Sequence, residues 1–179
     1  MRFPMTLDWR VKATTALVAV MVLGVLPLQA GVFATLPVPA PARAGFFGLL
    51  ALVAGVLLVA VLWAPRAVRL SLEGLSIERV FWPEYFIPWS EVASVEEGPD
   101  LRPFGAVMRV AGNGGLMGYS GLFAVRGVGL VRCWATRLYA PTIVVRRRTG
   151  RPVLLGVDDT PALLEELRKR LGVLAHRRA

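Results

Sequence analysis

The chain has 179 residues, 55% of them hydrophobic and 18% charged, with a formal charge of +9 and a mean hydropathy of +0.58. A soluble globular domain is about 45–50% apolar and about 25% charged, so this composition argues against a chain that lies wholly in water. One cysteine, Cys133, and one histidine, His176, exclude an internal disulfide framework and a zinc site built from His and Cys.

Charge is distributed unevenly. Residues 1–64 carry four basic side chains against one acidic, residues 65–100 three against seven, and residues 101–179 fourteen against four. A basic half beside a membrane is suited to anionic lipid headgroups, and excess arginine also sets topology and solubility.

Residues 13–36 contain no charged side chain and are long enough to cross the hydrocarbon layer, which takes roughly 20 apolar residues. Pro27 lies inside this run and predicts a kink. The basic start and Leu28-Gln29-Ala30 resemble a cleavable leader, but the run exceeds the ~7–15 residues of a signal core, so it is read as a retained span. Pro37, Pro39 and Pro41 then predict a short, stiff connection. Residues 45–63 form a second uncharged run, with Ala51 and Gly55 spaced for close helix approach. Residues 1–64 therefore read as a transmembrane helical hairpin with spans at 13–36 and 45–63. Arg2, Arg10 and Lys12 precede it, Arg66 and Arg69 follow it, and only Arg43 lies between the spans. The positive-inside rule places both termini in the cytoplasm and the chain in the inner membrane.

After residue 64 the apolar period becomes two. Residues 68–72 and 75–80, joined by Glu73-Gly74, predict a hairpin, and further strands are expected at 85–89, 92–96, 129–135, 142–147 and 152–157. Thr160 suits a helix N-cap and Pro161 the first helical turn. Leu163, Leu164, Leu167, Leu171 and Leu174 form the apolar stripe of that helix, with Glu165–Lys169 and Glu166–Arg170 pairs on its other side. Residues 65–172 thus read as one cytoplasmic domain and residues 173–179 as a basic tail.

The glycine-rich stretch holds Gly112, Asn113, Gly114, Gly115, Gly118, Tyr119 and Gly121. A dinucleotide fingerprint would need glycine where Met117 stands, and a P-loop would need a lysine that is missing here. These glycines are read as bends in a strongly coiled sheet. Arg146, Arg147, Arg148 and Arg151 make the densest basic cluster, a candidate contact for lipid or partner. No histidine or cysteine accompanies the serines in a catalytic pattern, and Cys133 reads as a small buried hydrophobe, so no catalytic or metal residue and no cofactor is assigned.

The segment Ile87-Pro88-Trp89-Ser90-Glu91-Val92, the glycine stretch 112–121, residues 139–145, and Arg151-Pro152-Val153 before Asp158-Asp159-Thr160-Pro161 together resemble a bacterial pleckstrin-homology-like (bacterial PH) domain, in particular members in which two spans precede that domain. The resemblance covers roughly residues 66–171. It implies an α+β protein: a helical membrane hairpin, then a bent β-sandwich or barrel of about seven strands capped by a C-terminal amphipathic helix, with Pro88, Trp89 and the glycine motif structural. Phosphoinositide-binding relatives carry cations in and around the first hairpin, where this chain places Glu73 and Glu78. The expectation is a non-catalytic module acting through a membrane-protein partner or self-association, without nucleic acid. The alternatives are an anionic lipid-binding domain and an accessory subunit of a membrane enzyme.

Overall fold

The computed structural model describes residues 1–37, 39–103 and 105–176. The prediction of a tail at 173–179 falls partly outside them, as do Arg177 and Arg178.

The chain opens on a strand, β1 (Arg2–Pro4), that precedes the helices and yet belongs to the sheet beyond them. It pairs antiparallel with β2 (Pro65–Leu70), Arg2 opposite Arg69 and Pro4 opposite Ala67. Phe3 and Met5 are buried in the main core. Proline is tolerated in β1 because the strand is an edge. Residues 1–6 therefore fall on the sheet side of the boundary drawn at residue 64.

Between β1 and β2 the chain is helical: α1 (Trp9–Val20), a π-helical turn at Met21–Val25, α2 (Leu26–Thr35) and α3 (Ala40–Leu62). The first apolar run, expected as one helix, is thus interrupted. Pro27 has no N–H to donate four residues back, and a wider π turn sits just before it. The proline connection is shorter than expected. Pro39 caps α3 and Pro41 falls in its first turn, where a missing N–H breaks no helical bond. Among the described residues one helix, α3, is by itself long and apolar enough to cross a membrane. None of its side chains is buried, and among the described residues nothing lies within 4 Å of a Cβ placed on Gly55. Phe33 of α2 stacks on Phe46 of α3 with ring centroids 4.4 Å apart.

Two sheets follow. The first has the order β1-β2-β3-β4, with β3 (Gly74–Arg79) and β4 (Tyr85–Pro88). The second comprises β5 (Val92–Glu97), β6 (Val107–Gly114), β7 (Tyr119–Val125), β8 (Gly129–Ala135), β9 (Ile143–Arg147) and β10 (Val153–Gly156), in the order β5-β9-β10-β8-β7-β6. Its one parallel pair is β10 with β8. Residues 65–156 thus hold nine strands where about seven were expected. The extra pair is β6–β7, built from the glycine-rich stretch.

Leu75, Ile77 and Ile87 of the first sheet meet Trp134, Ile143, Val145 and Leu155 of the second, and Leu163, Leu164 and Leu167 of α4 (Thr160–His176) close that core. Of the stripe read from the sequence, Leu163, Leu164 and Leu167 are packed and Leu171 is partly buried against them, while the side chain of Leu174 lies outside those described. Asp159, one residue earlier than expected, caps α4: its Oδ1 accepts the Ala162 N–H at 3.1 Å. Thr160 instead donates to the Pro141 carbonyl at 2.9 Å. A second core on the outer face of the larger sheet holds Phe123, Val131, Cys133, Val144 and Leu154.

Gly112 and Gly121 face each other across β6 and β7 at φ +112° and +130°. A Cβ on either would collide with the partner strand's backbone, at the Ser120 and Ala111 carbonyls respectively. Gly121→Ala should therefore cost about 1–3 kcal/mol from backbone strain alone. Gly172→Ala, in α4 with open space around it, should be neutral or stabilise by up to about 1 kcal/mol. Denaturation of the detergent-solubilised chain reads both, and equal melting of the two variants would contradict this crossing.

Candidate functional site

Alternation along a strand sends successive side chains to opposite faces, and this splits the Arg146–Arg147–Arg148 run. Val145 lies in the core between the sheets and Val144 in the outer core. Arg147 therefore follows Val145 inward, and Arg146 follows Val144 to the other face. Arg146 is ion-paired with Glu96, and Arg147 with Glu91. The Arg147 Nη1 also donates to the Tyr85 hydroxyl at 2.9 Å. The hydrogen bond that Arg147 donates to Glu91 raises the pKa of Arg147 against the opposing effect of burial. Arg148 and Arg151 are exposed at the turn between β9 and β10. The structure thus does not gather all four arginines into one patch: Arg146 stands on the other face from Arg147.

Other arginines occupy the inward phase. The core stripe Leu75–Ile77 on β3 ends in Arg79. Ile87 on β4 is preceded by Tyr85, Trp134 on β8 by Arg132, and Val153 on β10 by Arg151. At one end of the sandwich, Tyr85, Arg132, Arg147 and Arg151 line a cavity of about 90 Å³. The Arg132 guanidinium lies 5.0 Å from the centre of the Tyr85 ring, and Arg79 lies 5.3 Å from that of Trp134. Burial lowers the pKa of Arg79, and the charge of Arg132 lowers it further. Arg79, Arg132 and Tyr85 were not picked out from the sequence. The signal was present as a cation or phenol standing in phase with the apolar residues of each strand.

Several of the remaining motif residues make bonds within the protein. Trp89 is buried, and its indole N–H donates to the Ser71 carbonyl at 3.2 Å, fixing the 3-10 turn after Pro88 onto the β2–β3 turn. Asn113 braces the β6–β7 turn by bonding both the N–H and the carbonyl of Leu116. The Gly115 N–H donates to Gly118 at 3.0 Å, and the Met117 N–H to the Thr15 hydroxyl at 3.1 Å. Three successive amides, those of Gly115, Leu116 and Met117, are therefore committed within the protein. Tyr119 packs edge-on to Tyr139 with centroids 6.5 Å apart. Among the described residues no group of His, Cys, Asp and Glu is arranged to hold a metal.

The sequence matches the bacterial PH domain family over residues 66–171. The chain belongs to the bacterial PH domain family. No curated protein and no solved structure was found to match it. The matched span runs from β2 into α4, so β1 and the helices α1 to α3 lie outside it. A PH domain fits a protein-interaction or lipid-binding module, in keeping with the two sheets and the closing helix.

Cys133 is fully buried in the outer core, and that burial pushes its thiol pKa upward. Only thiolate is nucleophilic, so a maleimide should leave Cys133 unmodified in the folded chain and label it after denaturation, as read by intact mass. Rapid labelling of the native protein would contradict this packing.

Proposed function

We propose that this PH domain is held on the cytoplasmic face of the inner membrane by a helical hairpin, and that it works without catalysis by docking a protein partner beside the bilayer. The pairing of β1 with β2 carries the reading. Arg2–Pro4 and Ala67–Arg69 are hydrogen-bonded neighbours, so the chain leaves and re-enters the domain at one place. If α3 crosses a bilayer, residues 9–35 must make the return crossing. As a helix they reach roughly 40 Å, against about 30 Å of hydrocarbon. The bare apolar surface of α3, and basic residues concentrated at the domain end of both helical segments, support the same topology.

For the partner, β6 is the outer strand of the larger sheet, and it exposes Met108 and Val110 to 63% and 50%. An unpaired edge with apolar side chains accepts an added strand. Anionic lipid binding is the second reading, favoured by the exposed Arg148 and Arg151 at the β9–β10 turn.

A fluorescent protein fused after Ala179 should glow, and alkaline phosphatase at the same place should be inactive. A cysteine introduced at Ala42 should take an impermeant maleimide from the periplasmic side, and a periplasmic C-terminus would overturn the anchor. Native purification should recover a protein partner or a second copy of the chain, and Val110→Lys should lose it without lowering the melting temperature. Recovery as a lone monomer would overturn the docking role.

A further inference from the structure

The arginine-lined end of the sandwich has a specific chemistry. The geometry points to an oxyanion site there, in which one phosphate-like group is held by Arg132, Arg147 and Arg151 with the Tyr85 hydroxyl. The site belongs to the PH domain itself and does not depend on whether the helices cross a bilayer.

Four observations carry it. First, five strands end their core stripes in phase at this mouth with a cation or phenol. Apolar side chains would have closed the sandwich there, as α4 does elsewhere. Second, the cations exceed the anions. Arg147 has Glu91 opposite it, whereas Arg79, Arg132 and Arg151 have no carboxylate partner among the described residues. Burial lowers the pKa of Arg79 and the like charge of Arg132 lowers it further, and an anion relieves that repulsion. Third, donors there are unspent. The buried Nε of Arg147, Nε of Arg79 and Nε1 of Trp134 have no hydrogen-bond partner among the described residues. Buried donors are nearly always paired, to protein, water or ligand. The Tyr85 oxygen accepts from Arg147, which leaves its own proton to donate. Fourth, about 90 Å³ is roomy enough for several waters or one tetrahedral oxyanion, and guanidinium forks match oxyanion geometry.

This site is not at the first hairpin's turn, where Glu73 stands. It lies at the other end of β3, where Arg79 faces Pro65, the first residue of β2 after α3. The Val80 N–H donates to Ala64, and Trp82 packs edge-on to Trp63 with centroids 6.0 Å apart. Arg79, whose guanidinium lies over Trp134, thus stands beside the helix foot, and the group held by the neighbouring site is a headgroup phosphate or free phosphate.

The test uses the full chain in a phosphate-free, non-ionic detergent. Inorganic phosphate, titrated against chloride at matched ionic strength, should raise the melting temperature and give a saturable calorimetric isotherm. Arg132→Gln and Arg151→Gln should each weaken that binding by about tenfold or more, the loss expected for a charge-assisted hydrogen bond. Arg146→Gln, on the opposite face, should bind as the unaltered chain does. Arg151 lies on an exposed turn, so its variant keeps the test valid if the Arg132 variant does not fold. Nanodiscs of phosphatidylcholine with and without phosphatidic acid separate the sources: suppression of the phosphate response by phosphatidic acid assigns the site to a lipid phosphate, and an undiminished response assigns it to a soluble one. Equal effects of phosphate and chloride, or equal losses in all three variants, would overturn the proposal.

Discussion

Three residues at the start of the chain make the antiparallel ladder with β2 on which the rest of the architecture depends. That ladder brings the two ends of the helical segment together and seats Phe3 and Met5 in the main core. Asp158 secures it from the far end of the domain, accepting the Thr6 N–H at 3.0 Å and the Thr6 hydroxyl at 2.9 Å, while Arg137 reaches both Asp158 and Thr6. Asp158 directly precedes Asp159, the cap of α4, so two adjacent carboxylates tie the first strand and the last helix to one corner. The helices are thus attached to a rigid base at both feet.

The second constraint is the period of two. It separates Arg146 from Arg147, turning an apparent patch into one outward pair with Glu96 and one inward side chain beside Tyr85. It also gathers Arg79, Arg132 and Arg151, which are far apart in sequence, because each continues the inward phase of its own strand. Exposed ion pairs contribute little to stability, typically 0–1 kcal/mol, so such an arrangement is poorly explained as a device for holding the sheets together.

Much of this was legible in the sequence. The hairpin at β2–β3, the strands at β4, β5, β8, β9 and β10, and the leucine stripe of α4 all show their period over enough residues to be read. The burial of Cys133 follows from its apolar neighbours. What escaped did so for physical reasons. β1 is three residues long, too short to show a period, and its partner lies beyond the whole helical segment. β6 is an edge strand exposed on most of its length, and its glycines carry no side-chain pattern, so it reads as loop. The cap of α4 moved to Asp159 because Thr160 found a tertiary partner in Pro141. The arginine mouth was hidden because charge was read along the chain, whereas the sheet collects it across strands.

The first strand also imposes an order on assembly. Synthesis delivers Arg2–Pro4 first, yet their partner emerges only after residues 9–62 have been made, and Asp158 later still. This segment therefore has no native neighbour until the whole helical stretch has been made, and closing so long a loop carries an entropic cost that local pairing does not. The sandwich can form from β2 onward and accept β1 at the end, as a latch closed last. Its edge on β2 then stands open in the interval, leaving the newborn chain vulnerable to wrong strand partners until β1 docks.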